Sequence, residues 1–240
     1  MSTTAITAAA TALVAAATVG GTAYAALWPQ SQLFGKVLVA SDNPHELALT
    51  YDDGPNPAAT PQLLNILAAH NVRATFFLIG RFVRQQPDLT RQIATAGHLI
   101  GNHTMTHPWL AWQSTTRIQQ ELSDCNAILE DTLGTPIRYF RPPHGARRPA
   151  VLRAARELNL IPVNWNVIAN DWTPVDAATI LTRIQRGIAR NQSRNRASNI
   201  LLHDGGDRAL NANRLPTVEA TRQLLILHPS ERFVTPAGWL

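Results

Sequence analysis

The feature that most constrains the fold is an alternation of apolar runs and amphipathic segments from about residue 45 to the C-terminus. The predicted strands are Glu46–Asp53, Ala74–Gly80, Leu99–Thr104, Tyr139–Pro143, Ile161–Val167, Asn199–His203 and Arg232–Pro236. The predicted helices are Thr60–His70, Asp88–Ala96, Thr115–Leu133, Pro149–Asn159, Asp176–Arg190 and Arg214–Leu227. This order predicts a parallel α/β fold, either closed into a barrel or open as a doubly wound sheet.

Local signals at the predicted helix ends agree with this alternation. The expected N-caps are Asp88 and Asp176, and the expected first-turn prolines are Pro61 and Pro149. Helices are expected to end at Gly97 and Gly134. No glycine-rich phosphate loop follows the first strand, which does not favour a nucleotide-binding sheet. The longest weakly patterned stretch, Gly205–Asn213, follows the sixth strand, where α/β barrels carry their site loops.

Residues 45–240 are expected to form one domain behind a polar linker at residues 29–44. Residues 1–28 carry no charged side chain and end near Ala23-Tyr24-Ala25, which resembles a signal-peptide cleavage site. We therefore expect a signal peptide or an N-terminal membrane anchor, rather than a disordered cytoplasmic leader. The expected location is extracytoplasmic, with the protein either secreted or anchored.

Composition narrows the partners and the chemistry. The net charge is +5, and arginines cluster within 138–156 and within 183–196. Such clusters indicate either an anionic partner or solvated helix faces. No recognisable nucleic-acid-binding module accompanies them, so a nucleic-acid partner is not expected. The single cysteine, Cys125, excludes an intramolecular disulfide and a cysteine-built zinc site.

Two segments carry residues suited to binding a metal ion. Asp52 and Asp53 end a buried strand, and a cation would relieve the repulsion between their carboxylates; a turn with one aspartate as acceptor is the structural alternative. His103 and His107 are spaced so that one helical turn would place both on one face. With Asp53 they form a two-histidine, one-carboxylate set, which suits a catalytic Zn²⁺ or a similar divalent ion.

Three further segments place polar groups at predicted strand ends. Arg141 precedes a Pro-Pro turn, and the backbone N–H of His144 could face a developing oxyanion. Asp171 and Trp172 follow the fifth strand, where Trp172 lines a pocket or belongs to the core. His203 closes a buried strand, either as a core histidine or in an acid–base role.

These motifs together resemble one known family. The series TYDDGPN, GNHTMTHP, RPPHG, DW and ILLHD, in this order, is similar to the polysaccharide deacetylases, which are carbohydrate esterase family four or the NodB-homology domain. The resemblance runs from about residue 45 to the C-terminus. It implies a distorted (β/α) barrel of about seven parallel strands and a divalent metal, usually zinc. It also implies hydrolysis of N-acetyl groups on chitin-like or peptidoglycan sugars.

The resemblance also implies a role for each motif residue. It implies that Asp53, His103 and His107 are metal ligands. It implies that Asp52 is the general base, oriented by Arg141, and that His203 is the general acid. Asp171 would pair with His203 or with Arg141, and Trp172 and Leu201 would line the pocket for the acetyl methyl group. With these roles the expected substrate is a chitooligosaccharide or peptidoglycan glycan, from which acetate is released.

Two departures from the family pattern and two alternatives accompany this interpretation. The family commonly has tyrosine where His144 stands, and often another aspartate where Ile168 stands. His144 could therefore add a metal ligand, a proton carrier or a sugar contact. An O-acetyl esterase acting on a polymer such as xylan, and a non-catalytic carbohydrate-binding homologue, are the alternatives. Trp109 and Trp112 either stack on sugar rings or pack in the core.

Overall fold

The computed structural model describes residues 20–240, and its centre is one parallel sheet curled into a partial barrel. The strands are β1 (Glu46–Gly54), β2 (Thr75–Leu78), β3 (Leu99–Asn102), β4 (Tyr139–Phe140), β5 (Ile161–Pro162), β6 (Val167–Ile168), β7 (Ser198–His203) and β8 (Arg232–Phe233). Seven of them follow the order β5-β4-β3-β2-β1-β7-β6, and β8 pairs with β1. The predicted distorted barrel of parallel strands is confirmed.

Seven α-helices connect these strands within residues 46–240. They are α1 (Thr60–Ala69), α2 (Gly80–Gln85), α3 (Pro87–Thr95), α4 (Thr115–Leu133), α5 (Pro149–Glu157), α6 (Ala177–Gln192) and α7 (Leu215–Leu227). Three short 3₁₀ segments are Leu110–Trp112, Pro143–Gly145 and Pro236–Trp239. Residues 20–26 are also helical.

Most helix boundaries follow from the signals in the sequence. Helix α4 has the predicted bounds, with Ser114 as its N-cap and Gly134 in the left-handed conformation that ends it. Asp176 caps α6 by accepting a hydrogen bond from the Thr179 N–H. The prediction for Asp88 was wrong: α3 begins one residue earlier at its first-turn proline, so Asp88 lies inside the first turn. Helix α2 was not predicted.

The predicted strand Ile161–Val167 is two separate strands. β5 pairs with β4, whereas β6 pairs with β7, so the barrel is open between them. Asn166 attaches the start of β6 to β7, because its side chain accepts from the Asn199 N–H at 2.8 Å and donates to the Ala197 carbonyl at 2.9 Å. A side chain thus replaces ladder hydrogen bonds, which the apolar pattern of the sequence cannot reveal.

Strand β1 lies at the centre of the sheet and is buried along its whole length. Its odd-numbered residues Leu47, Leu49 and Tyr51 belong to the main hydrophobic core. The even-numbered Thr50 and Asp52 face the other side, as strand periodicity requires. Because all strands are parallel, their carboxyl ends meet at one rim, and polar residues at those ends are brought together.

Residues 29–44, expected to be a linker, lie against the domain. Leu38 forms a parallel bridge with Val163 beyond the end of β5. Asn164 donates to the Pro29 carbonyl at 2.8 Å. Most of the predicted signal peptide or anchor lies outside the described residues. Among the helices of residues 20–240, none has both the length and the apolar character needed to cross a bilayer.

Candidate active site

A cleft of about 490 Å³ opens at the carboxyl-terminal rim of the sheet. Of the residues singled out from the sequence, those that line it are Asp52, Asp53, His103, His107, His144, Trp172, Leu201 and His203. Arg141 and Asp171 are buried directly behind it and reach the lining residues through hydrogen bonds. All ten residues therefore belong to one site, although they come from five separate segments of the chain.

The two aspartates at the end of β1 separate into different positions. Asp52 continues the strand and pairs in register with His203 of β7. Asp53 has a positive φ of 70°, and the register with β2 shifts at this point. A Cβ atom at Gly205 would overlap the Asp53 carbonyl oxygen, so glycine is required for this close approach. The kink turns the two carboxylates toward different neighbours.

Asp53, His103 and His107 form a compact group with the properties of a metal site. Asp53 Oδ1 lies 3.4 Å from His103 Nε2 and 3.2 Å from His107 Nε2. This oxygen is buried without a hydrogen-bond partner in the described part of the chain. One potential ligand atom from each residue lies within 4.8 Å of the others. A divalent cation bound between them would satisfy the orphaned oxygen, so the residues present fit a metal ion.

The protonation states of these residues favour metal binding. His103 Nδ1 lies 2.8 Å from the Arg141 carbonyl, which can only accept, so Nε2 keeps its lone pair. Burial lowers the pKa of His107 to about 3, against the opposing charge of Asp53. Burial alone would raise the pKa of Asp53, but its interactions with the two histidines hold it below its usual value. The lowered pKa values of Asp53 and His107 favour a carboxylate and a neutral imidazole, which are the forms that bind a metal.

The loop that carries the two histidines is not the helical turn that their spacing suggested. Thr104 and His107 both have positive φ values, of 67° and 64°. The Asn102 side chain accepts from the Thr104 N–H at 2.7 Å, and the Thr104 hydroxyl accepts from the His107 N–H at 3.0 Å. These local bonds stabilise a backbone conformation that a β-branched residue rarely adopts. They bring the imidazoles together without a helix.

Helix α4 holds this loop from behind. The buried carboxylate of Glu121 accepts from both the N–H and the hydroxyl of Thr106, at 2.7 and 2.6 Å. Asn102 donates to the Asn126 side chain at 2.7 Å. Glu121 and Asn126 were not singled out from the sequence. Each is a polar residue on the buried face of α4, and the sequence alone does not distinguish such a residue from an exposed polar one.

Arg141 is fully buried and bonded to Asp52. Its Nη1 donates to Asp52 Oδ1 and to the Thr50 hydroxyl, both at 2.8 Å, and its Nε donates to the Val163 carbonyl at 3.2 Å. The guanidinium also lies over the Phe77 ring, 4.2 Å from its centroid. Asp52 Oδ1 is therefore occupied, whereas Oδ2 lies 3.7 Å from His103 Nε2 and faces the cleft.

His203 and Asp171 form the second charged pair of the site. Asp171 accepts from the His203 N–H and contacts His203 Nδ1, both at 2.8 Å, and Thr217 also donates to it at 2.8 Å. Of the two expected partners of Asp171, the structure places it with His203. Burial alone would lower the pKa of His203, but the Asp171 charge and the carboxylates ending β1 raise it to about 9.

His144, where the family commonly has tyrosine, stacks on Trp109. The ring centroids are 3.8 Å apart and the planes differ by 13°. His144 has a positive φ of 58°, and no acceptor for its N–H lies among residues 20–240. It is not one of the three grouped metal-ligand candidates. Trp109 is 43% exposed and lines the cleft, whereas Trp112 is 75% exposed and does not line it.

Several cleft residues were not singled out from the sequence. Leu27 and Pro29 reach the cleft from the segment before the barrel, and Asp207 and Arg214 reach it from the stretch after β7. Asp204 lies beneath the site, accepts a hydrogen bond from the Thr60 hydroxyl, and has its pKa raised to about 7 by burial. None of these residues follows a pattern that would distinguish it from an ordinary loop residue.

Comparisons with known proteins agree with this geometry. A family model described as polysaccharide deacetylase matches residues 40–163. The chain is 34% identical over 174 residues to a chitooligosaccharide deacetylase from Azorhizobium caulinodans, covering 72% of this chain and 80% of that protein.

Two solved structures have a similar fold. A peptidoglycan N-acetylglucosamine deacetylase superposes with a TM-score of 0.76 and 32% identity, covering 85% of this chain and 92% of the other. A family 4 acetyl xylan esterase from Clostridium thermocellum, in complex with a cobalt ion, superposes with a TM-score of 0.70 and 29% identity. That match covers 81% of this chain and 89% of the esterase.

The three grouped residues predict one divalent metal ion per chain. We expect each of the variants Asp53→Asn, His103→Ala and His107→Ala to lower the affinity for Zn²⁺ by at least about 100-fold and to abolish the metal-induced rise in Tm, because each removes a ligand. Calorimetric titration and thermal melts measure both effects. His70→Ala, at an exposed histidine on the end of α1, is the control. Unchanged affinity in all three variants would contradict this site.

Proposed function

Because the chain belongs to the polysaccharide deacetylase family, we propose that it releases acetate from the N-acetyl groups of a glycan that contains N-acetylglucosamine. The observation that carries this proposal is the convergence of three groups in one cleft. They are the Asp53, His103 and His107 group, the Asp52–Arg141 pair, and the His203–Asp171 pair. This combination provides a metal site, a base and an acid around one reacting carbonyl.

We propose Zn²⁺ as the metal, held by Asp53, His103 and His107. Two imidazoles and one carboxylate leave coordination positions open, which is typical of catalytic rather than structural zinc. When bound, such an ion supplies Lewis-acid polarisation of the acetyl carbonyl and makes a water molecule easier to deprotonate.

Asp52 is the proposed general base. Arg141 holds one carboxylate oxygen, so the second oxygen is fixed in direction and free to accept a proton from water. Arg141 acts through Asp52 and is therefore a positioning residue.

His203 is the proposed general acid. Asp171 accepts from its ring and keeps the imidazolium charged, so a proton is available for the leaving amine. An amine cannot leave as an anion, and protonation of its nitrogen is needed before the C–N bond breaks. Asp52 and His203 face the same cleft because their strands pair in register.

The remaining cleft residues would bind the acetyl group and the sugar. Trp172 packs edge-on against His203 with centroids 5.1 Å apart, and with Leu201 it forms an apolar wall suited to the acetyl methyl group. The N–H of His144 is a donor for the developing oxyanion. The half-exposed face of Trp109 suits a sugar ring. An O-acetyl ester is the second candidate substrate, because the cobalt-containing relative of known structure is an acetyl xylan esterase.

We also propose that the protein is exported. The uncharged residues 1–28 and the Ala23-Tyr24-Ala25 site support export, and a glycan polymer is an extracytoplasmic substrate. Cleavage after Ala25 would preserve the segment that reaches the cleft, because the Arg147 N–H donates to the Ala26 carbonyl at 2.9 Å.

The base assignment predicts the behaviour of Asp52→Asn. We expect this variant to bind Zn²⁺ but to release acetate from N-acetylglucosamine oligomers at least about 1000-fold more slowly, because its amide cannot accept the proton. The matched control is Asp42→Asn, which changes an aspartate whose side chain is 90% exposed. Wild-type activity that survives removal of the metal, or Asp52→Asn activity near that of the wild type, would rule out this mechanism.

The acid assignment predicts a pH effect. Asp171 raises the pKa of His203, so its loss lowers that pKa and deprotonates the acid at lower pH. We expect Asp171→Asn to move the alkaline limb of the pH profile of kcat/KM down by about one unit or more. Asp176→Asn, at the exposed cap of α6, is the control and should leave that limb unchanged. A limb that stays in place in Asp171→Asn would assign it to another group.

The export proposal predicts the start of the mature chain. Mass spectrometry of the protein recovered outside the cytoplasm should find Ala26 as the first residue. A retained Met1 in the membrane fraction would assign residues 1–28 to an anchor instead. Recovery of the intact chain in the cytoplasm alone would contradict export.

A further inference from the structure

A second groove continues from the catalytic cleft along the open side of the barrel. Pro29, Trp165 and Ile168 line both spaces, so the two are contiguous. The second space has a volume of about 610 Å³. We call it the basic groove, and its other defining residues are Trp28, Arg190, Arg194 and Arg196. It lies in the gap between β5 and β6, which the sheet leaves unpaired.

The positive charge of this groove is largely unneutralised. Among residues 20–240, no acidic residue lines it, and Arg190 and Arg194 form no ion pair. The only polar contact of the Arg190 side chain in this range is to the Asn166 carbonyl at 2.9 Å. Arg196 lies 3.5 Å from the Ala40 carbonyl and 3.9 Å from Asp42, whose carboxylate is 90% exposed. The three guanidinium groups are exposed and keep donors that could contact an anion.

Helix electrostatics do not account for this cluster. Arginine in the last turn of a helix is favoured by the negative end of the helix dipole, and Arg190 has this position in α6. Arg194 and Arg196 lie beyond the end of α6 at Gln192, outside that turn. The side chains of both residues are exposed, so their charge carries no desolvation penalty, but the helix itself requires no positive charge at these two positions.

An aromatic ring also lines the groove, and the backbone that carries it is held by hydrogen bonds. Trp28 is 49% exposed, so one side of its ring is available. Arg147, which is buried, donates to the Trp28 carbonyl at 2.9 Å and to the Ser31 carbonyl at 2.5 Å. Asn164 donates to the Pro29 carbonyl at 2.8 Å. The segment before the barrel is thus fastened by side chains of the domain.

We propose that the basic groove binds a carboxylate carried by a sugar next to the one that is deacetylated. This proposal rests on the proposed function and names its substrate class, a glycan in which N-acetylglucosamine alternates with an acidic sugar whose carboxylate is free, as in peptidoglycan strands without their stem peptides. Guanidinium groups suit carboxylates, and an exposed indole suits the face of a sugar ring. A neutral N-acetylglucosamine oligomer reaches the same cleft but offers nothing to the arginines.

The test compares one glycan with and without its charge. Soluble peptidoglycan fragments, freed of their stem peptides by an amidase so that the sugar carboxylates are exposed, are assayed for acetate release before and after these carboxylates are converted to methyl amides. For the wild type we expect kcat/KM to be about tenfold higher on the charged form, through KM, with this preference lost at about 0.5 M NaCl. In the triple variant Arg190→Gln, Arg194→Gln, Arg196→Gln the ratio of the two values should fall to about one.

The matched control changes the same charge elsewhere. Arg84→Gln, Arg138→Gln and Arg153→Gln together remove three exposed arginines that line neither space, and this variant should keep the wild-type ratio. Activity on the amidated fragments shows that each variant is folded. The test compares the ratio of the two kcat/KM values, so a general loss of activity does not affect its result. If the control variant also loses its preference for the charged fragments, the preference depends on net charge alone, and the proposal that the basic groove binds the carboxylate is overturned.

Other outcomes separate this proposal from the one on which it rests. A wild-type ratio near one, with acetate still released, would overturn the groove and leave the deacetylase intact. No acetate from the fragments or from an N-acetylglucosamine tetramer would instead reject the proposed function. Inhibition by polyphosphate with no effect of the glycan carboxylates would assign the arginines to a phosphate-bearing polymer, which also overturns the proposal.

Discussion

The site depends on Arg141, a fully buried arginine that connects its main parts. Its guanidinium donates to Asp52 and Thr50 of β1, and its own carbonyl contacts Nδ1 of His103. Its N–H donates to the Asn102 carbonyl at the end of β3. A buried guanidinium without a carboxylate is strongly unfavourable, at a cost of about 3–5 kcal/mol when a partner is removed. The same contact therefore stabilises the fold and directs the base.

This arrangement places function and stability in the same residues. Asp53, Thr104, His107 and His144 all have positive φ values at the rim of the cleft. Non-glycine residues in that conformation cost of order 1–3 kcal/mol each and persist where the surroundings determine them. Here the surroundings are the side chains of Asn102 and Thr104, the carboxylate of Glu121, and the close approach of Gly205.

The open side of the barrel gives this chain features beyond the reacting centre. In a fully closed barrel β5 and β6 would pair, and no space would remain beside the cleft. Here Asn166 bonds only to the β7 side, and the segment before the barrel is held to the domain by Arg147 and Asn164. The arginines in the last turn of α6 and just beyond it then lie next to the cleft although they are distant from it in sequence. The selectivity for glycan charge that we infer depends on this break in the sheet.

The sequence by itself determined the parallel α/β class, the positions of most strands, and the set of residues at the rim. The reason is that apolar periodicity specifies strands, and parallel strands send their carboxyl ends to one edge. The sequence did not determine the conformation of the loop that carries His103 and His107, or which residue pairs with Asp171. It also did not determine that the fifth predicted strand divides into two, or which residues Glu121 contacts. Those depend on backbone dihedrals, strand register and side chains that meet across long separations, as with Asp171 and His203. Only the tertiary structure decides which residues are neighbours across such distances.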